Sequence, residues 1–463
     1  MTFKDYLGSI KGKTVTVVGA GVSNSPLIEA LCAAGVSTSV RDMRTFAEMG
    51  ESAERFENLG AKLILGESYL QDITEDIIFR TPGLMPSNPA LAEAVSKGAT
   101  LTSEMEVFFD VCPCYTIGIT GSDGKTTTTS IIAEMLKNGG KTVHLGGNIG
   151  TPLLTKADEM SADDIAVVEL SSFQLITMKK CPNTAIVTNL TPNHLDVHKD
   201  MDEYIGAKRR IFINQKSADR AIFNLDNEVT LNYSKSAVAN EVLMFSRLER
   251  VKNGVYMENG VIYDNHDDVG EAIINADEIL LPGVHNIENY MAAFAAVRGL
   301  VSYDAMRETA RTFAGVKHRL EFVRELDGVK FYNDSIASSP TRAIAGLKSF
   351  DQKVILIAGG KDKGITFEQL GAEINIRVKK LILTGATAEQ INEAVINVPC
   401  DGERPEITVC EDFESAVKKA HEVAKRSDIV LLSPACTSFD RFKNFEERGN
   451  VFKEIVRKLG AKD

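Results

Sequence analysis

Three times along the chain an apolar, β-branched run ends in a glycine turn and opens into a helical pattern: Thr14-Val-Thr-Val-Val-Gly-Ala-Gly21, Tyr115-Thr-Ile-Gly-Ile-Thr-Gly-Ser-Asp-Gly-Lys-Thr126 and Val354-Ile-Leu-Ile-Ala-Gly-Gly360. Strands that are apolar at consecutive positions, rather than at alternate ones, belong to parallel sheets covered by helices on both faces. The pattern commits the chain to an α/β architecture, and three such starts in 463 residues suit three domains of ordinary size. Further strands are predicted over 62–65, 76–80, 165–170, 184–189, 220–224, 380–384 and 427–433, with helices over 127–137, 289–300 and 413–425. The stretch 231–281 differs. Its turn clusters Lys252-Asn-Gly254, Glu258-Asn-Gly260 and Asp264-Asn-His-Asp-Asp268 predict an antiparallel appendage on the middle domain. Domain breaks are placed near residues 110 and 316.

Lys and Arg number 52 against 64 Asp and Glu, a formal charge of −12. A chain of that balance does not coat nucleic acid or an anionic membrane, although a local basic pocket is compatible with it. No apolar run reaches the length of a membrane span, and the N-terminus enters a strand without a cleavage pattern, so a cytoplasmic protein with no membrane span is expected. The seven cysteines form no CxxC pair, Cys112 and Cys114 being split by Pro113 alone. They read as reduced, small apolar side chains.

The strongest motif is Gly121-Ser-Asp-Gly-Lys-Thr126 between a strand and a helix. Such a turn presents backbone N–H groups to phosphate oxygens, Lys125 adds a positive charge, and the Thr126 hydroxyl suits Mg²⁺. Ile119 stands where the strict GxxxxGK[ST] pattern has its first glycine. A carboxylate is needed on a neighbouring strand end, and Ala166-Val-Val-Glu-Leu-Ser-Ser172 supplies Glu169, an acid whose burial requires a partner or a metal. The loop Val187-Thr-Asn-Leu-Thr-Pro-Asn-His-Leu-Asp-Val-His198 carries His194, Asp196 and His198 at a spacing that can hold a metal ligand and its supporting partner. Lys208 lies among three basic residues that alone would mark a solvated helix face. At the N-terminus, Gly19-Ala-Gly21-Val-Ser-Asn24 is similar to the dinucleotide fingerprint with Asn24 in place of the third glycine, and Asp42 is spaced to meet a ribose hydroxyl. Thr81-Pro-Gly83 should face the same crevice.

Taken together, these residues resemble one family, the ATP-dependent Mur ligases of peptidoglycan synthesis. The resemblance rests on the phosphate loop, Gly146-Gly-Asn-Ile-Gly150, Glu169-Leu-Ser-Ser172, His194-Leu-Asp196, Lys208, His285-Asn-Ile-Glu-Asn289, His318-Arg319, Asn333-Asp-Ser335 and Gly359-Gly360, and spans nearly the whole chain. Leu432-Ser-Pro-Ala-Cys-Thr-Ser-Phe-Asp-Arg-Phe-Lys-Asn-Phe-Glu-Glu-Arg-Gly449 looks like the C-terminal signature of the D-glutamate-adding branch, and the DNPR-type motif of the diaminopimelate-adding branch is absent.

The resemblance implies a Rossmann-like N-terminal domain over 1–110 for the UDP-linked substrate and a P-loop-type central ATPase domain over 111–316 with a largely parallel sheet. A Rossmann-like C-terminal domain over 317–463 would take the amino acid. It implies two small-molecule substrates besides ATP, UDP-N-acetylmuramoyl-L-alanine and D-glutamate, and a monomer. Val22, Ser23, Met43, Arg44 and Thr81 would hold the uridine diphosphate, with Asn148 reaching it from the central domain. Gly121, Ser122, Asp123, Gly124, Lys125, Thr126 and Thr127 would hold the ATP phosphates, and Asn286, Asn289, Arg319 and Asp334 the rest of the nucleotide. Thr126 and Glu169 would bind one Mg²⁺; His194 and a carbamylated Lys208 would bind a second. Ser338, Lys363, Ser438 and Phe445 would recognise D-glutamate, Phe445 mainly through its backbone. Lys125, Glu169, His194, Lys208 and Arg319 would carry the catalysis.

Asp123 where the loop usually has Asn, Asn193 in place of Asp, and Ser338 in place of Thr depart from the common pattern without removing a required group. Met43 leaves the uracil contact open. A hinge near residue 316 is expected. The competing readings are another Mur-type or folylpolyglutamate-type ligase and, from another class, a dinucleotide-dependent oxidoreductase built on Gly19 to Gly21, which leaves the phosphate loop unexplained.

Overall fold

The computed structural model describes residues 1–192, 197–267, 269–361, 366–400 and 402–460. Three sheets carry the architecture. The first is wholly parallel, with strands β1 (Thr14–Val18), β2 (Ser37–Asp42), β3 (Lys62–Leu65), β4 (Ile77–Arg80) and β5 (Thr100–Thr102) in the order β3-β2-β1-β4-β5. Chain direction along the sheet reverses beside β1, and the register places Val18 opposite both Arg41 and Arg80. The carboxyl ends of β1, β2 and β4 are therefore level, which is where parallel sheets bind ligands.

The second sheet has nine strands: β6 (Tyr115–Thr120), β7 (Val143–Gly147), β8 (Ile165–Glu169), β9 (Thr184–Val187), β10 (Arg220–Asn224), β11 (Glu241–Ser246), β12 (Gly254–Glu258), β13 (Val261–His266) and β14 (Val269–Asn275). Their order is β14-β13-β12-β11-β10-β9-β6-β8-β7, parallel from β7 through to the β11–β12 pair and antiparallel from β12 to β14. The appendage expected over 231–281 is thus shorter and is not separate. Residues from 228 form the helix Glu228–Ser234, whose crossover returns β11 parallel to β10, and the hairpin strands extend the same sheet. Asn259 and Gly260 join β12 to β13 with positive φ at both, as a two-residue hairpin turn requires.

The third sheet comprises β15 (Glu321–Leu326), β16 (Val329–Asn333), β17 (Val354–Ala358), β18 (Val378–Leu383), β19 (Glu406–Val409) and β20 (Ile429–Leu432), in the order β15-β16-β20-β17-β18-β19. Only the edge strand β15 is antiparallel, through a turn at Asp327 and Gly328.

Residues 1–276 with 288–309 form one compact unit, and 277–287 with 310–463 a second. Within the first unit the two sheets share a core: Val15, Val17, Phe79, Phe108, Leu154 and Val168 belong to one buried cluster. No helix among the described residues is long and apolar enough to cross a membrane.

Candidate active site

The phosphate loop leaves β6 and enters the helix Lys125–Asn138 through Gly124, whose φ of 78° no residue with a Cβ adopts easily. The loop is braced from the residues that follow β9. Ser122 and Asp123 receive Asn189 through two bonds, Ser122 N–H to its carbonyl at 2.8 Å and Asp123 N–H to its Oδ1 at 2.9 Å. Thr188 Oγ1 donates to the Asp123 carbonyl at 2.7 Å. Ser122 Oγ donates to the Thr191 carbonyl at 2.9 Å, accepts the Thr191 amide, and lies 2.8 Å from the Tyr204 hydroxyl. So fixed, the loop ends where the first intrahelical bond, Thr128 N–H to Gly124 C=O, has just begun. The amides of the helix's first turn have no carbonyl four residues back, and the helix dipole adds to their pull on an anion. Lys125 Nζ bonds the Gly121 and Ser122 carbonyls at 3.0 and 2.8 Å. Thr126 and Thr127 lie half-buried on the same turn. Asn289 Oδ1 accepts from Thr128 Oγ1 at 3.2 Å, directly behind Gly124. Asn286 is buried, with its side-chain amide on the Pro282 carbonyl at 2.6 Å.

Glu169 ends β8 one strand away, 1% exposed. Its Oε1 accepts from Asn148 Nδ2 at 2.9 Å, while Oε2 is buried without a partner. A buried carboxylate oxygen left open can take a cation. Asn148, assigned by resemblance to the UDP-linked substrate, is exposed and lies on Glu169. Lys208 is 2% exposed, its Nζ donating to the Gly121 carbonyl at 2.7 Å and Thr120 Oγ1 at 3.2 Å and lying over the Tyr204 ring. Burial first, then the charge of Lys125, holds its pKa well below the ordinary lysine value. It is not the solvated face that its basic neighbours suggested.

His194, with Asn193 and Asp196, lies outside the described residues, as does Lys363. His198 is described, and both its ring nitrogens face protein groups. Its Nε2 meets Ser172 Oγ at 2.9 Å, its Nδ1 meets Glu203 at 3.2 Å, and its ring stacks on Phe173. Among the described residues no three His, Cys, Asp or Glu side chains converge as a metal centre.

At the switch point of the first sheet, Gly19 packs so closely on Thr81 that a Cβ would meet it at 2.9 Å. Asn24 replaces the third glycine by turning inward, its Nδ2 on the Gly19 carbonyl at 2.8 Å. Asp42 does not wait for a ribose. Both its oxygens hold Arg44, through Nε at 2.9 Å and Nη2 at 2.8 Å, and Oδ2 also takes the Ala20 amide at 2.9 Å. Burial opposes its ionisation, but these bonds prevail and lower its pKa to about 2. Arg44 is thereby aimed from Asp42 across to the Ala20 carbonyl with its side chain 45% exposed. Val22 and Met43 are 81% and 69% exposed, and Ser23 is half-buried beside them.

In the second unit Arg319 sits between His318 and Leu320, both at positive φ, 65° and 43°. Two such residues, one on each side of Arg319, store strain in the backbone that carries it. Asp334 is 4% exposed, accepts Ser433 Oγ at 2.8 Å and the Leu320 amide at 3.3 Å, and burial raises its pKa to about 7. Ser438 is buried and Ser338 half-buried. Phe445 opens the helix Phe445–Lys458, its carbonyl accepting Ser335 Oγ at 2.8 Å, so its N–H is one of the helix's unmatched first donors. Arg448, 2% exposed, donates to the Ser335 and Cys436 carbonyls and to Ser335 Oγ, tying the loops that carry Ser338 and Ser438.

Sequence reasoning missed Asn189, Tyr204, Arg80 and Arg448. The last two carried a usable signal: Arg80 is a charge inside the apolar run Ile77-Ile-Phe-Arg80, and Arg448 recurs on the buried stripe of its helix.

The chain matches the family model of the Mur ligase middle domain over residues 119–297 and that of the Mur ligase glutamate ligase domain over 318–436. It is 50% identical over 460 residues to the UDP-N-acetylmuramoylalanine–D-glutamate ligase of Ruminiclostridium cellulolyticum, covering 98% of this chain and 99% of that one. The protein of the same name from Acetivibrio thermocellus is 48% identical, with 99% of each chain covered. Among solved structures, the UDP-N-acetylmuramate-alanine ligase of Thermotoga maritima shares the fold with a TM-score of 0.55 at 16% identity, over 96% of this chain and 99% of that one. A UDP-N-acetylmuramoyl-L-alanyl-D-glutamate–2,6-diaminopimelate ligase does so with 0.56 at 19%, over 84% and 94%. The chain belongs to the Mur ligase family, on the branch of the UDP-N-acetylmuramoylalanine–D-glutamate ligases.

Proposed function

We propose that this chain is the ATP-dependent ligase that joins D-glutamate to UDP-N-acetylmuramoyl-L-alanine in peptidoglycan biosynthesis, releasing ADP and phosphate. The observation that carries the reading is the pairing of the phosphate loop with the open Oε2 of Glu169 at adjacent strand ends, in a chain half identical to ligases of that name.

A carboxylate and an amine do not condense at neutral pH, because oxide is a poor leaving group. Transfer of the ATP γ-phosphoryl to the substrate carboxylate gives an acyl phosphate, whose leaving group is phosphate. The neutral amine of D-glutamate then attacks the acyl carbon, and the tetrahedral intermediate collapses to the amide. Every reactant is anionic while the chain itself carries −12, so positive charge must be local. Lys125 and the first-turn amides would supply it at the phosphates and Arg44 at the uridine diphosphate, while Arg319, Asn286, Asn289 and Asp334 are assigned to the rest of the nucleotide. Thr126 and Glu169 would hold one Mg²⁺, and His194 with Lys208 a second; bound there, Mg²⁺ neutralises developing charge on the triphosphate. The burial that lowers the Lys208 pKa makes its neutral amine more available for addition to CO₂, which forms a carbamate with loss of a proton and gives an oxygen donor in place of an amine. Ser338, Lys363, Ser438 and the Phe445 amide are assigned to D-glutamate, and Val22, Ser23, Met43, Thr81 and Asn148 to the UDP-linked substrate. The reading places domains at 1–110, 111–316 and 317–463, one for each reactant, in a cytoplasmic monomer.

The test is ADP formation from UDP-N-acetylmuramoyl-L-alanine that requires D-glutamate and vanishes in Lys125→Ala. Turnover with L-glutamate or L-lysine in its place overturns the assignment.

A further inference from the structure

Strand β4 ends in the bulkiest of the fully buried side chains, Arg80, 1% exposed. Its guanidinium works in two directions. Nη1 donates to the carbonyls of Thr81 at 3.5 Å and Leu84 at 3.3 Å, the two ends of a tight turn closed by the Leu84 amide on the Thr81 carbonyl. Nη2 crosses to the second sheet's side, donating to the Phe173 carbonyl at 2.6 Å and Thr177 Oγ1 at 3.0 Å. Phe173 lies in the short helix Ser172–Leu175 that follows Glu169, and its ring stacks on His198. Thr177 passes the contact on, its hydroxyl donating to Glu106 at 3.0 Å.

Stability does not account for this residue. Its acceptors are three carbonyls and a hydroxyl, and Nε is buried without a partner. Burial lowers its pKa to about 10, the charge of Glu106 opposing that shift, so it stays charged at neutral pH with no carboxylate bonded directly to the fork. An apolar side chain of similar volume would fill the space without that penalty. What a planar fork adds is a fixed distance and angle between the groups it bonds.

We propose that Arg80 is a positioning residue that locks the Thr81 turn to the segment leaving Glu169, so that a UDP-linked substrate held at the first sheet presents its carboxylate to the phosphate loop in reacting register. The proposal rests on the ligase reading above and adds to it the element that aligns two of its substrates. Both ends of the fork lie within one compact unit, so the alignment is built into the fold.

The experiment compares wild type, Arg80→Met, Arg80→Lys and Thr177→Val. Dissociation constants for UDP-N-acetylmuramoyl-L-alanine come from calorimetry without ATP, and kcat and the KM for ATP from D-glutamate-dependent ADP release. Misplacement of reacting atoms predicts a kcat about ten- to a hundredfold lower in Arg80→Met, with substrate affinity and the KM for ATP unchanged. Arg80→Lys should recover part of it, and Thr177→Val, which cuts the far prong and leaves the turn intact, should lower kcat in the same direction. If Arg80→Met does not fold, Thr177→Val decides. Unchanged kcat in the folded variants, or a loss confined to affinity for the UDP-linked substrate, overturns the proposal. A wild-type chain without D-glutamate-dependent turnover overturns instead the ligase reading, and needs no variant to be seen.

Discussion

Asn148 holds Glu169 twice: its side-chain Nδ2 donates to Oε1 at 2.9 Å and its backbone N–H donates to the Glu169 carbonyl at the same distance. Oε1 is thus occupied, and Oε2 is the oxygen left for a cation. Groups that orient a metal ligand typically matter ten- to a hundredfold in affinity. Asn148→Ala should therefore weaken Mn²⁺ binding, used as a spin probe for Mg²⁺ with a non-hydrolysable ATP analogue, by about that factor. If Asn148 served the UDP-linked substrate alone, the metal titration would not move and only substrate affinity would fall.

Gly124 makes a second, independent test of the phosphate loop. A Cβ there would be strained by the positive φ and would collide with Asn289 Oδ1. The helix behind it is held by Ile131, Ile132, Met135 and Leu136, all fully buried, so it should survive. Gly124→Ala is expected to raise the KM for ATP by about tenfold, with strain of roughly 1–2 kcal/mol and an unchanged helical signal in circular dichroism.

Lys208 can be tested for its modification directly. Its burial against the Gly121 carbonyl leaves a free cation poorly accommodated. In ¹³C-bicarbonate the wild type should show a carbamate carbon resonance that Lys208→Ala lacks. Activity of that variant should recover in part with added short carboxylic acids, whose oxygens replace the missing carbamate. No resonance and no rescue would leave Lys208 as a cation bound to the loop.

Much of this was legible because parallel strands announce themselves: β3 and β10 fall where apolar runs predicted them, and the phosphate loop and Glu169 emerge at strand ends. What was misread depends on which polar group finds which partner. Asp42 has the spacing of a ribose ligand, but Arg44, two residues on, bonds both of its oxygens. His198 has the spacing of a metal ligand, yet it lies between Ser172 and Glu203, contacts that the sequence does not encode locally. The appendage over 231–281 begins too early because its turn clusters start only at Lys252, whereas the continuous apolar run Val242-Leu-Met-Phe245 before them is an interior parallel strand between β10 and β12. Strand β15 does carry a sequence signal, since Leu326-Asp-Gly-Val329 is the pattern of a two-residue hairpin turn.

A pH dependence of folding should come from Glu104, the first residue of the helix Glu104–Val111. It is 6% exposed, and its Oε1 accepts the Leu154 amide at 3.1 Å, joining the first sheet's last helix to the second sheet's side of the shared core. Burial raises its pKa from 4.5 to about 7, the amides of Leu154 and Leu153 opposing it incompletely. The folded state therefore keeps a proton that the unfolded chain releases above about pH 4.5, and stability contributed by this group falls as pH rises through that window and levels off near 7. Glu104→Gln accepts the same amide without titrating. Relative to wild type it should gain stability between about pH 4.5 and 7, by roughly 3 kcal/mol at most, and run parallel outside that range. Urea denaturation at several pH values reads the difference, and a constant offset across the window would place the Glu104 carboxyl in water rather than in the core.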